Sequence, residues 1–281
     1  MKTVNSLSGG KTSSYIAANY PADYNVFSLV RTDDKNCMFP DAKIRQEVSD
    51  RIGKEFIGTL EEDAIIYTML DLEQFIGSKI DWVSGKTFDN VIIKTKKGTK
   101  YLPNKMARYC TTELKTMPIL YWMYEKVKEP VFMRFGYRAN ETKRALKMMS
   151  KTDDEGFTKV KATFTTLKDG RKSWGEYKYC KPQFPLIADN IYKDTIEEFW
   201  RDKDVRFAYM NNCVGCWWRS PLLLKKMSDK HPVKMKWFAD QETSKSKWRS
   251  DIMYKDIMKW KTQMELFDDD FNECDSGYCG L

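Results

Sequence analysis

Short apolar runs alternate along the chain with longer segments whose apolar residues recur at helical spacing. The short runs predict strands at residues 4–7, 25–30, 54–57 and 131–135. The longer segments predict helices at residues 12–18, 40–52, 61–76, 113–126 and 191–200. Because strands alternate with helices, the pattern predicts an α/β fold, with a doubly wound parallel sheet covered by helices on both faces.

Two segments interrupt this alternation. Residues 79–103 predict an inserted β-hairpin, because the apolar run 91–93 and Tyr101-Leu102 flank a Lys-Lys-Gly turn. Residues 151–178 are polar, with glycines among the charges, and indicate a solvated excursion. The last third is helical and ends in an acidic tail with two cysteines. We therefore predict an α/β domain over residues 1–205 and a helical, cysteine-bearing C-terminal region over residues 206–281.

Proline and threonine residues help to define where two of the predicted helices begin. Pro40 is acceptable at the first position of the helix 40–52, and Thr111 and Thr112 can cap the helix 113–126. Pro118, inside that helix, predicts a kink or a first turn.

Composition narrows the classes of protein. No apolar run approaches the roughly 18 residues of a membrane helix, and Lys2 does not lead into the apolar core of a signal peptide. We therefore expect a cytoplasmic protein with no membrane partner. Seven cysteines in that compartment indicate metal ligands or reactive thiols. A single histidine, His231, disfavours histidine-based zinc catalysis and Ser-His-Asp chemistry, so sulfur would hold any metal.

The first candidate site is a glycine-rich loop between the first strand and the first helix. Its residues are Ser8, Gly9, Gly10, Lys11, Thr12 and Ser13. Two glycines allow a tight turn that brings backbone N–H groups close to a ligand, and the start of the helix favours an anion. A Walker A loop is excluded, because Asn5 stands where that motif needs its first glycine. The loop predicts a phosphate site, and a plain helix-capping turn is the alternative.

Two further clusters carry positive charge near predicted helix starts. Arg108 and Lys115 flank the start of the helix 113–126, with Cys110 beside it. Arg138 and Arg144 follow the strand 131–135 and can each grip phosphate oxygens, while Glu141 can orient Arg138 or share in metal coordination. The alternatives are a buried cysteine beside solvated charges and a basic loop with a capping box.

The cysteines suggest a sulfur-ligated centre. Cys213 and Cys216 form a Cys-x-x-Cys turn, which supplies half of a four-sulfur site. Cys110 is the natural third ligand. The fourth can come from the tail, at Cys274 or Cys279, or from elsewhere in the chain, at Cys37 or Cys180. A redox dithiol and a zinc site are the alternatives.

Lysines are interleaved with aromatic residues between positions 225 and 261. Basic residues among aromatics can grip phosphates and stack on bases, which predicts contact with nucleic acid. The formal charge of +8 agrees with a polyanionic partner. The alternative is a set of solvated lysine faces with the aromatic rings in the core.

The order of these motifs resembles the phosphoadenosine phosphosulfate reductase-like branch of the PP-loop superfamily, the adenine-nucleotide hydrolases. The resemblance spans roughly residues 4–219. It includes residues 8–13, the Cys-x4-Lys-x2-Pro core of residues 108–118, residues 136–144, and Pro185-Leu186 ahead of residues 213–216. Two departures stand out, because the family loop usually carries aspartate where Thr12 stands, and adenylyl-sulfate reductases have adjacent cysteines where this chain has Tyr109-Cys110.

The resemblance implies a Rossmann-like (HUP-type) fold that binds ATP or a sulfonucleotide with Mg²⁺. The nucleotide would be held by the residues from Ser8 to Ser13 with Arg138 and Arg144, and Lys11, Lys115 and Arg138 would assist the reaction. The family's cysteine pattern implies a 4Fe–4S cluster on Cys110, Cys213 and Cys216, with Cys274 or Cys279 as a further ligand or as a nucleophile.

The resemblance leaves two reactions open. In the first, an acceptor is adenylylated by ATP with release of pyrophosphate, and sulfur from a donor then displaces AMP, as in nucleic-acid thiolation. In the second, a thiolate of Cys274 or Cys279 attacks a bound sulfonucleotide, and a thioredoxin-like reductant releases sulfite. The intact loop favours the first. A third possibility is a non-catalytic nucleotide- or nucleic-acid-binding module with structural zinc.

Overall fold

The computed structural model describes residues 1–93 and 101–261. Seven strands are described, at Thr3–Leu7 (β1), Tyr24–Ser28 (β2), Ile80–Val83 (β3), Val131–Arg134 (β4), Lys159–Thr166 (β5), Lys172–Lys178 (β6) and Cys180–Gln183 (β7). The helices up to the middle of the chain are Lys11–Asn19 (α1), Ala42–Ile52 (α2), Ala64–Ile76 (α3), Phe88–Ile92 (α4), Tyr109–Thr111 (α5) and Met117–Trp122 (α6). Those that follow are Thr142–Met149 (α7), Pro185–Ala188 (α8), Lys193–Trp200 (α9), Pro221–Lys230 (α10), Pro232–Gln241 (α11) and Tyr254–Met258 (α12).

Five strands form one sheet in the order β3-β2-β1-β4-β7. Strand β1 lies parallel to both β2 and β4, and β4 lies parallel to β7. Val4 of β1 is in register with Tyr24 on one side and Met133 on the other. The predicted α/β class with a parallel sheet is therefore confirmed, and the strand order is compatible with a Rossmann-like fold.

The first strands and helices form where local chemistry favours them. Val4 and Leu7 are buried, and the amide of the buried Asn5 donates to the carbonyl oxygen of Tyr20 and to Asn25 Oδ1, both at 3.0 Å. Helix α2 is capped by Asp41, whose Oδ1 accepts from the first-turn N–H groups. Pro40 therefore precedes the cap, and its predicted place as first helical residue is wrong by two positions.

Two predicted β segments are wrong. Residues 54–57 form no strand, because the chain there pairs only through isolated bridges of Gly58 to Thr32 and Met38. The hairpin predicted at 79–103 is also absent over 79–93, where β3 joins the parallel sheet and α4 follows. Phe88, Val91 and Ile92 are all buried at helical spacing, so one apolar helix face explains the run. Residues 94–100, the predicted turn, lie outside the described residues.

The hairpin of this protein lies instead in the predicted polar excursion. Strands β5 and β6 are antiparallel, with Lys159 opposite Lys178 and a register irregularity between Ala162 and Thr165. Val160 and Ala162 are buried while Lys159 and Lys161 are exposed, so a period of two was present beneath the charges.

The helix predicted at 113–126 is observed, but it begins earlier. Helical turns run from Tyr109 through π-turns at Thr112–Thr116, α6 and Met123–Val127, with Arg108 at the N-cap. Thr111 and Thr112 therefore lie inside the helix and do not cap it. Pro118 has no N–H to donate to the Leu114 carbonyl oxygen four residues earlier, and the hydroxyl of Ser28 donates to that oxygen at 2.9 Å instead.

Residue contacts group the chain into two compact units. The sheet unit consists of residues 1–27, 69–81 and 117–205. Within the described residues, the helical unit consists of 28–68, 82–93, 101–116 and 206–261. The helical unit has an aromatic core in which Phe88, Trp237, Phe238 and Trp248 meet edge to face. In the described part of the chain, no helix is long and apolar enough to cross a membrane.

Candidate functional site

The central pair of strands in the sheet unit ends in the two loops that the sequence singles out. The connection after β1 runs toward β2 on one side, whereas β4 lies on the other side of β1. This reversal is the topological switch point at which open α/β sheets bind ligands, outside the carboxyl ends of the strands. The glycine-rich loop follows β1, and Gly136 and Arg138 follow β4.

Hydrogen bonds within the glycine-rich loop fix its shape. Gly9 has a φ of +82°, a value that favours glycine. Ser13 Oγ accepts from the Ser8 N–H at 3.2 Å, lies 3.1 Å from Ser8 Oγ, and donates to the Gly10 carbonyl oxygen at 3.1 Å. Gly10 is the N-cap of α1, and at the start of an α-helix the backbone N–H groups precede the first i→i−4 hydrogen bond. This end of α1 therefore offers N–H donors and a positive dipole end to an anion.

The loop after β4 approaches the start of α1 closely. A Cβ atom on Gly136 would lie 3.2 Å from Thr12 Cγ2 and 3.5 Å from the Ser13 nitrogen. Since the first distance is tighter than ordinary van der Waals contact, glycine allows the two loops to lie side by side.

Carboxylates hold the basic side chains of this site. Lys11 forms an ion pair with Glu197 of α9, and Trp200 Nε1 donates to the Lys11 carbonyl oxygen at 3.0 Å. Sequence analysis missed Glu197, because nothing local links positions 186 residues apart.

Glu141 connects the two arginines. Its Oε2 accepts from the backbone N–H of Arg138 at 2.9 Å and from Nε of the same residue at 3.2 Å, and its Oε1 accepts from Arg144. The guanidinium of Arg144 also lies 4.0 Å from the ring centre of Tyr137. Glu141 therefore forms the capping box that sequence analysis gave as the alternative. The same carboxylate also orients the side chain of Arg138.

Within the helical unit, the three cysteines with the predicted ligand role line a single cavity. Cys110 comes from α5, and Cys213 and Cys216 come from the Cys-x-x-Cys turn. All three are half-buried. The rest of the lining is mainly apolar and includes Val30, Phe88, Leu114, Trp217, Phe238 and Trp248.

Backbone contacts hold the Cys-x-x-Cys turn in place. The Cys216 N–H donates to the Cys213 carbonyl oxygen at 3.0 Å, and the Val214 N–H donates to the Leu60 carbonyl oxygen at 2.8 Å. The fully buried Arg219 donates to the Val214 carbonyl oxygen at 3.1 Å and to that of Cys213.

The glycine of this turn is required by its surroundings. A Cβ atom on Gly215 would lie 2.3 to 2.7 Å from ring atoms of Phe238. The hydroxyl of Tyr254 donates to the Gly215 carbonyl oxygen at 3.1 Å, which fixes the turn from its other side.

A buried ion pair also lines the cavity. Lys115 Nζ lies 3.0 Å from Oε1 of Glu61, whose side chain is 1% exposed. Within the described residues, Oε2 of Glu61 is buried without a hydrogen-bond partner. Sequence analysis missed Glu61. It reaches the cavity because it forms an antiparallel bridge with Cys213.

The cysteines suggested as a fourth ligand divide into two groups. Cys37 and Cys180 are buried, and burial raises the pKa of each thiol to about 12, which disfavours the thiolate that a metal requires. Neither lines the cavity, so we drop both as ligands. Cys274 and Cys279 lie outside the described residues.

The cavity fits a sulfur-ligated group in the kind of donor it offers. Three thiols in a mainly apolar lining suit an iron–sulfur cluster or zinc. Over residues 1–93 and 101–261, however, no three His, Cys, Asp or Glu side chains are grouped closely enough to hold a metal ion. Metal binding would therefore require these side chains to approach one another and at least one further ligand to join them.

Three aromatic rings of the segment 225–261 lie in the core, as in the alternative that sequence analysis gave. Trp237, Phe238 and Trp248 are buried, and Trp248 Nε1 donates to the Phe238 carbonyl oxygen at 2.8 Å. Lys225 and Lys234 are buried as well and pair with Asp229 and Asp63. The predicted stacking of these three rings on bases is therefore wrong, because they form the core of the helical unit.

No family model matches the chain, and no match was found among curated proteins or solved structures.

Proposed function

We propose that this protein is an adenine-nucleotide enzyme of the PP-loop type, with a HUP-type Rossmann-like fold, that adenylylates an acceptor and couples this step to sulfur transfer. One observation carries the proposal. The glycine-rich loop and the start of α1 lie at the carboxyl end of β1, beside the loop that follows β4. A polyphosphate placed there would receive the N–H groups of a helix start at the switch point of the sheet.

In the proposed reaction, an acceptor oxygen attacks the α-phosphorus of ATP. A bond forms between them while the bond from the α-phosphorus to the bridging oxygen of pyrophosphate breaks, and pyrophosphate leaves. Mg²⁺, when bound, would neutralise charge on the phosphates. A sulfur nucleophile then attacks the acceptor carbon and displaces AMP, with the oxygen leaving on AMP. No oxidant or reductant is consumed when the donor supplies sulfur as a hydrosulfide.

The residues around the loop have separate tasks in this scheme. The first-turn N–H groups and Lys11 would bind the β- and γ-phosphates, which become the leaving pyrophosphate. Arg138, kept in place by Glu141, would face charge that develops at the α-phosphate. Lys11 would have to exchange Glu197 for phosphate, so Glu197 sets how strongly the loop binds an anion.

The cysteine cavity would handle sulfur. Cys110, Cys213 and Cys216 are the ligands we assign to a 4Fe–4S cluster or, as the alternative, to zinc. When bound, the cluster supplies a sulfur-rich centre at which a donor sulfur can be held. Lys115, paired with Glu61, would add a positive charge beside these thiolates.

The same loop would also serve the reductase reaction. In that case a thiolate of Cys274 or Cys279 attacks the sulfur of a bound sulfonucleotide, and a dithiol releases sulfite. The sequence observation that favours it is the presence of Glu-Cys at Cys274 and Cys-Gly-Leu at Cys279, which resemble parts of the reductases' catalytic tail, there joined around one cysteine and followed by a histidine that is missing here.

The test is nucleotide binding by paired variants of the loop. Lys11→Ala should weaken ATP affinity by about 1.5–3 kcal/mol, the range for hydrogen bonds to charged groups. Glu197→Gln should strengthen it, because the lysine is then released to the phosphate. Lys2→Ala removes an exposed lysine that pairs with Asp23 and serves as the control. Equal ATP affinity in all three variants and the wild type would refute the site.

Turnover assays separate the reactions. Pyrophosphate release from ATP that depends on an acceptor supports adenylylation, whereas sulfite release from a sulfonucleotide with a reduced dithiol supports the reductase. A zinc-loaded, iron-free protein that binds ATP without either product would show a binding module instead.

A further inference from the structure

The β5–β6 hairpin belongs to the sheet unit, and one of its faces packs against Tyr121 and Tyr124 of the same unit. Phe164 lies between aromatic rings, with its ring centre 4.6 Å from that of Tyr177, 5.0 Å from Tyr124 and 5.1 Å from Tyr121. The hydroxyl of Tyr124 also donates to the Lys178 carbonyl oxygen at 2.9 Å. These contacts anchor the hairpin through its inner face, so its outer face is presented as a preformed surface.

The outer face carries an exposed tryptophan between lysines. The outward side chains of β6 are those of Lys172, Trp174 and Glu176, which alternate with its inward residues. Lys161 of β5 lies opposite Glu176. Trp174 is 54% exposed, the largest exposed fraction of any tryptophan among the described residues. Burial gives no reason for an indole ring at this position.

Positive charge is concentrated on this hairpin. Residues 159–178 contain six lysines and arginines and two acids, a formal charge of +4 out of the chain's +8. Lys159, Arg171 and Lys178 form ion pairs with acidic neighbours. In the part of the chain that the structure describes, Lys161 and Lys172 form no ion pair and are exposed.

We propose that the outer face of this hairpin binds single-stranded nucleic acid, with Trp174 stacked on a base and Lys161 and Lys172 on the flanking phosphates. Same-face neighbours along a strand are about 6.7 Å apart, and Lys161 lies diagonally across from the indole, which brings cation and ring together. A single-stranded nucleic acid presents phosphates and exposed base faces in alternation, whereas in a duplex the base faces are stacked and inaccessible. Binding stands on these observations alone, whereas identifying the strand as the acceptor rests on the proposed function.

The test is fluorescence anisotropy with a short labelled oligothymidylate, measured without ATP over a series of salt concentrations. Trp174→Ala should weaken binding about 5-fold to 160-fold, the range for a base–aromatic stack. The double variant Lys161→Gln/Lys172→Gln should reduce the slope of log K against log salt by about 1.4, or about 0.7 for each phosphate contact. Glu176→Gln should strengthen binding, and Lys43→Gln, an exposed lysine on α2, is the control that leaves the slope unchanged.

Several results would overturn this inference. The first is that the wild type does not bind the oligonucleotide, and the second is that the Trp174 and lysine variants bind it as tightly as the wild type does. The third is that polyglutamate displaces the labelled strand as well as unlabelled oligonucleotide does. Equal affinity for the matched duplex would also exclude stacking. All substituted side chains are exposed, and thermal melting by circular dichroism verifies that the variants fold. Lys11→Ala should bind the strand normally, so a failed nucleotide loop and a failed strand site give different results.

Discussion

The buried pair of Lys115 and Glu61 supports a prediction that separates its contribution to stability from any role in chemistry. Lys115→Met removes the ammonium 3.0 Å from Oε1 and leaves a carboxylate that is 1% exposed, with Oε2 already lacking a hydrogen bond within the described residues. Breaking a buried pair in this way costs about 3–5 kcal/mol, because the remaining charge is uncompensated.

The reverse substitution should cost less. Glu61→Gln keeps an oxygen that can accept from Lys115 Nζ, and the lysine, at 19% exposure, retains some contact with water. The expected loss is about 1.5–3 kcal/mol, that of a hydrogen bond to a charged group. The double variant Lys115→Met/Glu61→Gln should recover part of the first loss, because no buried charge is left unpaired.

Equilibrium unfolding in urea measures all three losses. The matched control is Lys86→Met, which breaks a pair with Glu113 at 2.8 Å, where the lysine is 59% exposed; we expect about 0–1 kcal/mol. Lys115→Met that costs no more than Glu61→Gln, or a Lys86→Met control that costs as much as Lys115→Met, would mean that the buried charge is not what destabilises the protein. Activity lost from Lys115→Met beyond what its stability explains would then be chemical.

Two further predictions concern titratable groups. Burial would raise the pKa of Glu62, but hydrogen bonds from His231 and a backbone N–H lower it below its ordinary value of 4.5. Its stabilising contribution should be complete above about pH 5 and fall as pH drops through the folded-state pKa, so the difference in unfolding free energy between wild type and Glu62→Gln should shrink in acid. Since burial raises the pKa of Cys37 and Cys180 to about 12, only about one thiol in ten thousand is ionised at about pH 8. In metal-free protein, iodoacetamide should then modify the three cavity cysteines before either of these, and mass-spectrometric mapping that finds Cys180 labelled as fast as Cys216 would contradict this.

The central part of the fold was predictable because its signals are local. Strands β1, β2 and β4 are apolar runs, and α1 begins at the paired glycines. Periodicity gave the wrong secondary structure where the same run of residues is compatible with two kinds of element. The run 91–93 looked like a strand, but residues 91 and 92 end a short helix whose apolar face, with Phe88, is buried. The hairpin of residues 159–178 looked like a solvated loop, because lysines on its outer face masked a period of two.

The glycine-rich loop could be found from sequence, because its conformation depends on residues that follow one another in the chain. The groups that hold its cations could not, because Glu197 becomes a neighbour of Lys11 only when α9 lies beside α1. Glu61 meets Cys213 only through an isolated bridge between distant segments. Both carboxylates pair with lysines that the motifs did identify, so the sequence indicated the candidate basic side chains but not the carboxylates that hold them. Substitutions of Glu197 and Glu61 are therefore needed beside those of Lys11 and Lys115 to assign a role to either lysine.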